Sequence, residues 1–242
     1  MIVVDIGNTS IHLAWTKKGK IKKTLKIPFS GTSSRRIKEI LSHGPKEIII
    51  ACSVVPRISK IFKTLKKEVY FVGKDIKVPI KCLYDKKLVG MDRLVGAYSA
   101  KRFFPQARLV LDFGTAVTMD FLSKPGDYQG GIILPGIGST LKVLSSCAML
   151  PKKIEFKPAK KSLPRTTAES INQGLEEGFS LMLNSLVRKY KKDLQIGPKN
   201  EVIITGGDAP LIMPKLDFPC QYEPLLVLKG LVALGCKRLF PR

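Results

Sequence analysis

The sequence is short of acids. Against 42 lysines and arginines it carries 19 aspartates and glutamates, a formal net charge of +23. It has two histidines, one tryptophan and five cysteines. The cysteines (Cys52, Cys82, Cys147, Cys220, Cys236) form no CxxC and no Cys/His pairing. That argues against a zinc site and a disulfide framework, and leaves small buried side chains in a reducing compartment. His12 and His43 stand alone, without ligand spacing, and read as filler or surface residues. No apolar run approaches the roughly 18 residues of a membrane-spanning helix. The N-terminal MIVVDIGNTS carries Asp5 and no basic region, so it reads as a first strand and not a signal peptide, and a cytoplasmic location is expected. The lysines cluster at 17–23, 60–67, 152–165 and 189–192, with few aromatics among them. Such a spread reads as a solvated surface that attracts anionic substrates, not a dedicated nucleic-acid face.

What is present is an ordinary globular composition, 44% hydrophobic over 242 residues, enough for one large domain or two modest ones. Apolar runs and alternation predict strands over 1–6, 11–16, 21–27, 47–51 and 69–72, and helices over 34–42, 57–66 and 94–104. The pattern then restarts, with a strand over 108–112, a turn at Phe113-Gly114-Thr115 and a returning strand over 117–122. Strand, Asp, apolar residue, Gly, small polar pair, strand is the order in both places. That repeat predicts two duplicated subdomains, 1–107 and 108–242. Further on, 130–136 is a strand ending in a Pro-Gly break, and 152–165 reads as an exposed loop. The longest amphipathic helix covers 169–191, strand 201–205 enters Gly206-Gly207-Asp208, and 225–234 is a last apolar helix.

The candidate chemistry sits in three places. Asp5-Ile6-Gly7-Asn8-Thr9 ends a strand in a turn, where glycine lets the backbone approach a phosphate and free N–H groups form an anion-binding concavity. Asp5 suits a ligand, through water, of the Mg²⁺ that accompanies ATP. A plain hairpin turn favours the same residue types. The second copy, Asp112-Phe113-Gly114-Thr115, with Thr115 as a hydroxyl donor, favours two glycine turns clamping a triphosphate, hence an ATP-dependent phosphotransferase. Between them lies Val89-Gly90-Met91-Asp92-Arg93. Asp92 reads either as a helix cap or as the acceptor of a hydroxyl proton, and Arg93 as a bidentate grip on a substrate carboxylate. Asp120, Asp127 and Asp208 are loop acids without an assigned role, and Gly174 and Gly178 permit close helix packing.

DIGNT at 5–9, GMDR at 90–93, DFGTAVTMD at 112–120, GGIILPG at 130–136, TAESINQG at 167–174 and ITGGD at 204–208, in this order, resemble the type III pantothenate kinases. That family belongs to the acetate and sugar kinase, Hsp70 and actin superfamily, and the likeness covers essentially the whole chain. It implies an α/β fold of two ribonuclease H-like, actin-like subdomains, each a mixed sheet flanked by helices. The implied reaction moves the ATP γ-phosphate to the 4′-hydroxyl of pantothenate, the first step towards coenzyme A. Asp92 would accept the proton. Tyr84, Gly90, Met91, Asp92, Arg93 and Thr167 would hold pantothenate. Asp5, Ile6, Gly7, Asn8, Thr9, Ser10, Ile11 and His12 would face ATP together with Thr115, Asp5 serving the Mg²⁺. Asp112 would bind a monovalent cation, K⁺ or NH₄⁺, and the enzyme would be a homodimer. The segment after Tyr84 lacks the family's Asn-Pro and is one residue shorter. Two other readings stay open on the sequence: a transcriptional accessory protein on the same fold, and a related small-molecule kinase with another acceptor.

Overall fold

A computed structural model describes the chain except residues 31–32, 43–46, 86–87, 148–149, 152–153, 158–162, 198, 200 and 240–242. His43 and parts of the 152–165 loop therefore lie outside the described residues. The first half folds as β1 (Ile2–Ile6), β2 (Ser10–Lys17), β3 (Lys20–Pro28), α1 (Ser34–Ser42), β4 (Ile49–Ser53), α2 (Pro56–Lys63), β5 (Val69–Phe71) and α3 (Met91–Phe103). The second continues with β6 (Leu109–Phe113), β7 (Ala116–Leu122), β8 (Tyr128–Pro135), α4 (Ile137–Ser146) and α5 (Thr167–Tyr190). It ends with β9 (Val202–Thr205), α6 (Ala209–Ile212), a 3-10 turn over Met213–Lys215, β10 (Cys220–Tyr222) and α7 (Leu226–Leu239).

Strands β1–β5 form one sheet in the order β3-β2-β1-β4-β5. β1 lies antiparallel to β2 and parallel to β4. Being central, it is apolar on both faces, and alternate residues go to different cores. Ile2, Val4 and Ile6 pack with Ile37, Leu41, Ile58 and Phe62 of α1 and α2. Val3 packs with Ile50 and Cys52 against Val95 and Tyr98 of α3 and Leu228, Leu231 and Leu234 of α7. Strand β3 is an edge, and its exposed Lys20, Lys22, Lys23 and Lys26 discourage edge-to-edge pairing.

The second sheet runs β10-β9-β6-β7-β8. β6 is antiparallel to β7 and parallel to β9. Read from β8, this is the strand order of the first sheet, so the internal repeat in sequence is a duplicated topology. Leu109, Leu111, Phe113, Val117, Met119 and Ile204 build its core with Leu175, Phe179, Leu183 and Val187 of α5.

The chain divides into two compact units. One holds Met1–Pro105, Gly126–Tyr128 and the segment from Leu225, and the other holds Gln106–Pro125 and Gln129–Pro224. This differs from the division at 107/108 in the boundary, which falls after Pro105, in Gly126–Tyr128 and in the last segment. α7 follows unit 2 in the chain but packs in unit 1, where Gly230 lets it approach α3: a methyl there would lie 2.8 Å from Val95 Cγ1. Boundaries also move. α3 begins at Met91 and not at 94, and β4 covers Ile49–Ser53 and not 47–51. α4, α6, the 3-10 turn and β10 are elements the sequence pattern did not announce. Among the described residues, no helix is long and apolar enough to cross a membrane.

Candidate active site

In unit 1, β1 and β4 run parallel, so their carboxyl ends lie side by side, with Asp5 paired to Cys52 and Ile6 to Ser53. Alternation places Asp5 on the face of Val3 and Cys52, the face covered by α3 and α7. α3 starts close to the end of β4, because a methyl on Gly90 would lie 3.7 Å from Val54 Cγ1. Its first turn therefore delivers Asp92 to the neighbourhood of Asp5 and Cys52. The Cys52 thiol records this placement. Burial pushes it well above its ordinary value, and the charges of Asp5 and Asp92 push it further.

Asp92 is not the cap that its helix-start position suggested. Gly90 is the N-cap and makes no side-chain cap bond. Asp92 stands one turn-position inside, and its Oδ1 accepts the N–H of Arg93 at 2.8 Å. Burial raises its carboxyl above the usual range, and the Arg93 N–H and guanidinium offset only part of that rise. A carboxylate that holds a proton more readily than usual is a better proton acceptor near neutral pH. The Arg93 guanidinium lies 5.9 Å from the ring centre of the buried Tyr128. The Met91 sulfur packs against Gly73, where at φ +92 a methyl would lie 2.6 Å from it. Tyr84 is half exposed, and its carbonyl accepts the Cys82 thiol at 3.2 Å.

The first turn is simply held. The N–H of Gly7 donates to Ser10 O at 3.1 Å, and Phe29 N–H donates to Thr9 O at 2.8 Å. Asn8 and Thr9 are exposed at the tip. A methyl on Gly7 would meet only Ser10 O at 3.6 Å, an ordinary contact, so the glycine leaves room that the fold itself does not require. Ile6 and Ile11 are fully buried core residues, so any part they take in nucleotide binding is through the main chain. His12 pairs with Lys26 across β2 and β3, and burial and then the lysine charge lower its imidazole below the ordinary value.

Unit 2 holds the second turn, where Gly114 N–H donates to Ala116 O at 3.0 Å and Thr115 is exposed. Two motifs that had no assigned role converge on it. From one, Gly136 N–H and the Ser139 hydroxyl both donate to Thr115 O, at 3.0 and 2.6 Å. From the other, Asp208 N–H donates to Phe113 O at 3.1 Å. Neither Gly136 nor Gly206 has space for a side chain. A methyl would overlap the backbone of Gly114 and Thr115 in one case and of Phe113 in the other, and Gly206 also sits at φ +94. The Pro-Gly break and the Gly-Gly pair were the sequence signals for these supports.

Register sets Asp112 beside Thr118 and Thr205, on the face of the sheet opposite the α5 core. Next to them the buried Asp120 accepts the Thr118 hydroxyl at 3.1 Å. Thr167 is the exposed first residue of α5, whose start is capped by Thr166 accepting Glu169 N–H at 3.2 Å. Among the described residues, no cluster of three or more His, Cys, Asp or Glu forms a metal cage. Mg²⁺ delivered with a nucleotide needs only one or two protein carboxylates beside the phosphates, which Asp5 fits. The Asp112, Thr118 and Thr205 donors are all oxygen, as a hard monovalent cation requires.

The family model for type III pantothenate kinase matches residues 1–189. The chain belongs to the type III pantothenate kinase family. A member from Persephonella marina is 30% identical over 245 residues, covering 94% of this chain and 95% of its own length. Among solved structures, a Campylobacter jejuni protein assigned to the Baf family of transcriptional activators superposes with a TM-score of 0.66 at 20% identity, covering 99% of both chains. MreB5 of Spiroplasma citri, bound to ADP, reaches 0.53 at 11% identity, covering 100% of this chain and 98% of its own. At those identities the structural likeness shows the fold alone, a duplicated actin-like ATPase fold. Family membership makes the chain an ATP-dependent kinase that works with Mg-ATP.

Proposed function

We propose that this chain phosphorylates the 4′-hydroxyl of pantothenate, opening coenzyme A synthesis, with Asp92 as the proton acceptor. The observation that carries the reading is the pairing of Asp92 with Arg93 on the first turn of α3, beside Asp5 at the carboxyl end of β1. In an open α/β sheet that is where ligands bind. The Asp92 carboxylate takes the hydroxyl proton as the substrate oxygen bonds to the γ-phosphorus and the bond to the ADP leaving oxygen breaks. Arg93 fixes the pantothenate carboxylate, and in the same unit Tyr84, Gly90 and Met91 add to the acceptor's contacts.

In unit 1 the main chain from Asp5 to His12 takes the nucleotide, and in unit 2 the Thr115 hydroxyl is a phosphate donor. Asp5 serves the Mg²⁺, whose charge neutralises that of the phosphates. Asp112, with Thr118 and Thr205, takes K⁺ or NH₄⁺. The surplus of 23 positive charges draws both substrates, which are anions, towards the protein. The working form is a homodimer in the cytoplasm.

The test is ADP release from Mg-ATP with and without pantothenate, in K⁺ or NH₄⁺ buffer. ADP formation that depends on pantothenate and falls in Na⁺ is expected. ADP formation indifferent to pantothenate would overturn the acceptor assignment and favour another acceptor or a regulatory role.

A further inference from the structure

Gly126 and Asp127 of the β7–β8 connection and Tyr128, the first residue of β8, belong to unit 1, while the chain on either side of them belongs to unit 2. They are fastened there at every residue. Gly126 adopts φ +79, and a methyl on it would lie 2.7 Å from Lys101 Cγ on α3. Asp127 pairs with Lys101 at 3.4 Å and Lys81 at 4.0 Å. Tyr128 N–H donates to Lys81 O and Tyr128 O accepts Leu83 N–H, both at 2.9 Å, bridging to Cys82 as in a parallel sheet. The Tyr128 side chain is fully buried with its ring under the Arg93 guanidinium. One residue thus anchors, by its main chain, the segment that ends in Tyr84 and, by its ring, the side chain of Arg93.

We infer that Tyr128 is a positioning residue for the acceptor site, holding the Arg93 guanidinium so that its donors meet the substrate carboxylate in a preset orientation. An arginine on a flexible stem loses side-chain freedom when it grips a carboxylate, and an aromatic platform removes part of that loss before binding. A face-on ring also tolerates the charge that burial alone would penalise. This inference rests on the reading of Arg93 as the carboxylate ligand.

The experiment compares full-length wild type with Tyr128→Phe, Tyr128→Met, Arg93→Gln and the Tyr128→Met/Arg93→Gln double variant. Steady-state kinetics with each substrate varied are read alongside thermal melts. Tyr128→Met fills the buried volume without an aromatic face. It is expected to raise the KM for pantothenate about tenfold, as loss of a desolvated cation–π contact implies, and to leave the KM for ATP unchanged. Tyr128→Phe, which keeps the face, should stay within about twofold of wild type. In the double variant the Tyr128 change should add nothing to the effect of Arg93→Gln, since both act through one guanidinium. An unchanged pantothenate KM in Tyr128→Met, with Arg93→Gln impaired, overturns the Tyr128 inference alone. Arg93→Gln with a normal pantothenate KM overturns the reading of Arg93 and the inference with it. Should Tyr128→Met melt before assay temperature, Tyr128→Leu is read in its place with the same expected and overturning results, and a tenfold rise in Tyr128→Phe would overturn the inference by placing the function in the hydroxyl and not in the ring.

Discussion

The turn after β1 and the turn after β6 share a sequence pattern but are held in different ways. The first is closed by the bond from Gly7 to Ser10 and tied to Phe29 through Thr9 O, and a methyl on Gly7 would make only an ordinary contact. The second is wedged between Gly136 and Gly206, whose backbones press on Gly114, Thr115 and Phe113. Glycines in one family pattern therefore do two jobs. Gly7 and Gly114 leave space that the fold does not need, and Gly136 and Gly206 are glycine because nothing else fits. The sheet faces differ as well. In unit 1, the face bearing Asp5 receives α3 with Asp92 and Arg93. In unit 2, the matching face offers Asp112, Thr118 and Thr205. Duplication supplies the frame, and the helix laid on one copy brings Asp92 and Arg93 to it.

The sharpest way to break this comparison is Gly206→Ala. It combines a left-handed backbone with overlap on Phe113, so a stability loss of about 2–4 kcal/mol is expected in denaturant melts. A loss below about 0.5 kcal/mol, the scatter of ordinary surface changes, would show that the second turn is not wedged. Gly7→Ala should behave in the opposite way. Its melt should match wild type, while the KM for ATP rises about tenfold, equivalent to one lost phosphate contact. Equal stability losses in the two variants would erase the distinction.

The smallest effect is on stability at Asp92. Its carboxyl is raised in the folded state by burial, so the stability it contributes is full below the unfolded value, near pH 3.9, and is lost as pH rises through the higher folded value. Asp92→Asn should therefore melt above wild type at pH 7.5, with the gap closing as pH falls towards 4. A gap that widens in acid would reverse the sign of the shift.

Much of this was legible in the sequence because it is local. α1 falls at the predicted Ser34–Ser42, and the two hairpins and the restart at 108 follow from alternation and glycine turns. Asp92 and Arg93 were visible as a pair, but just ahead of their helix and not in it. Asp is a favoured cap, so α3 was expected to begin at 94, whereas Gly90 caps it and the acid lies inside the first turn. α4 was missed because its IGSTLKVLSS sequence is rich in small polar residues and follows a Pro-Gly break. The destination of α7 and the role of Tyr128 depend on which distant segments meet. Periodicity in a single chain carries no information on that, and Tyr128 lay outside every motif and element read from the sequence.

The central claim, that Asp92 accepts the proton, is tested most directly by the turnover of Asp92→Asn with saturating Mg-ATP and pantothenate. The asparagine keeps the shape of the first turn of α3 but cannot take a proton. The predicted result is a fall in kcat of about 10²–10⁴-fold with the ATP KM retained, while the wild-type kcat/KM loses activity in acid along a limb set above the ordinary carboxylate range. Turnover within a few-fold of wild type would contradict it, and the proton would then have to leave by another group.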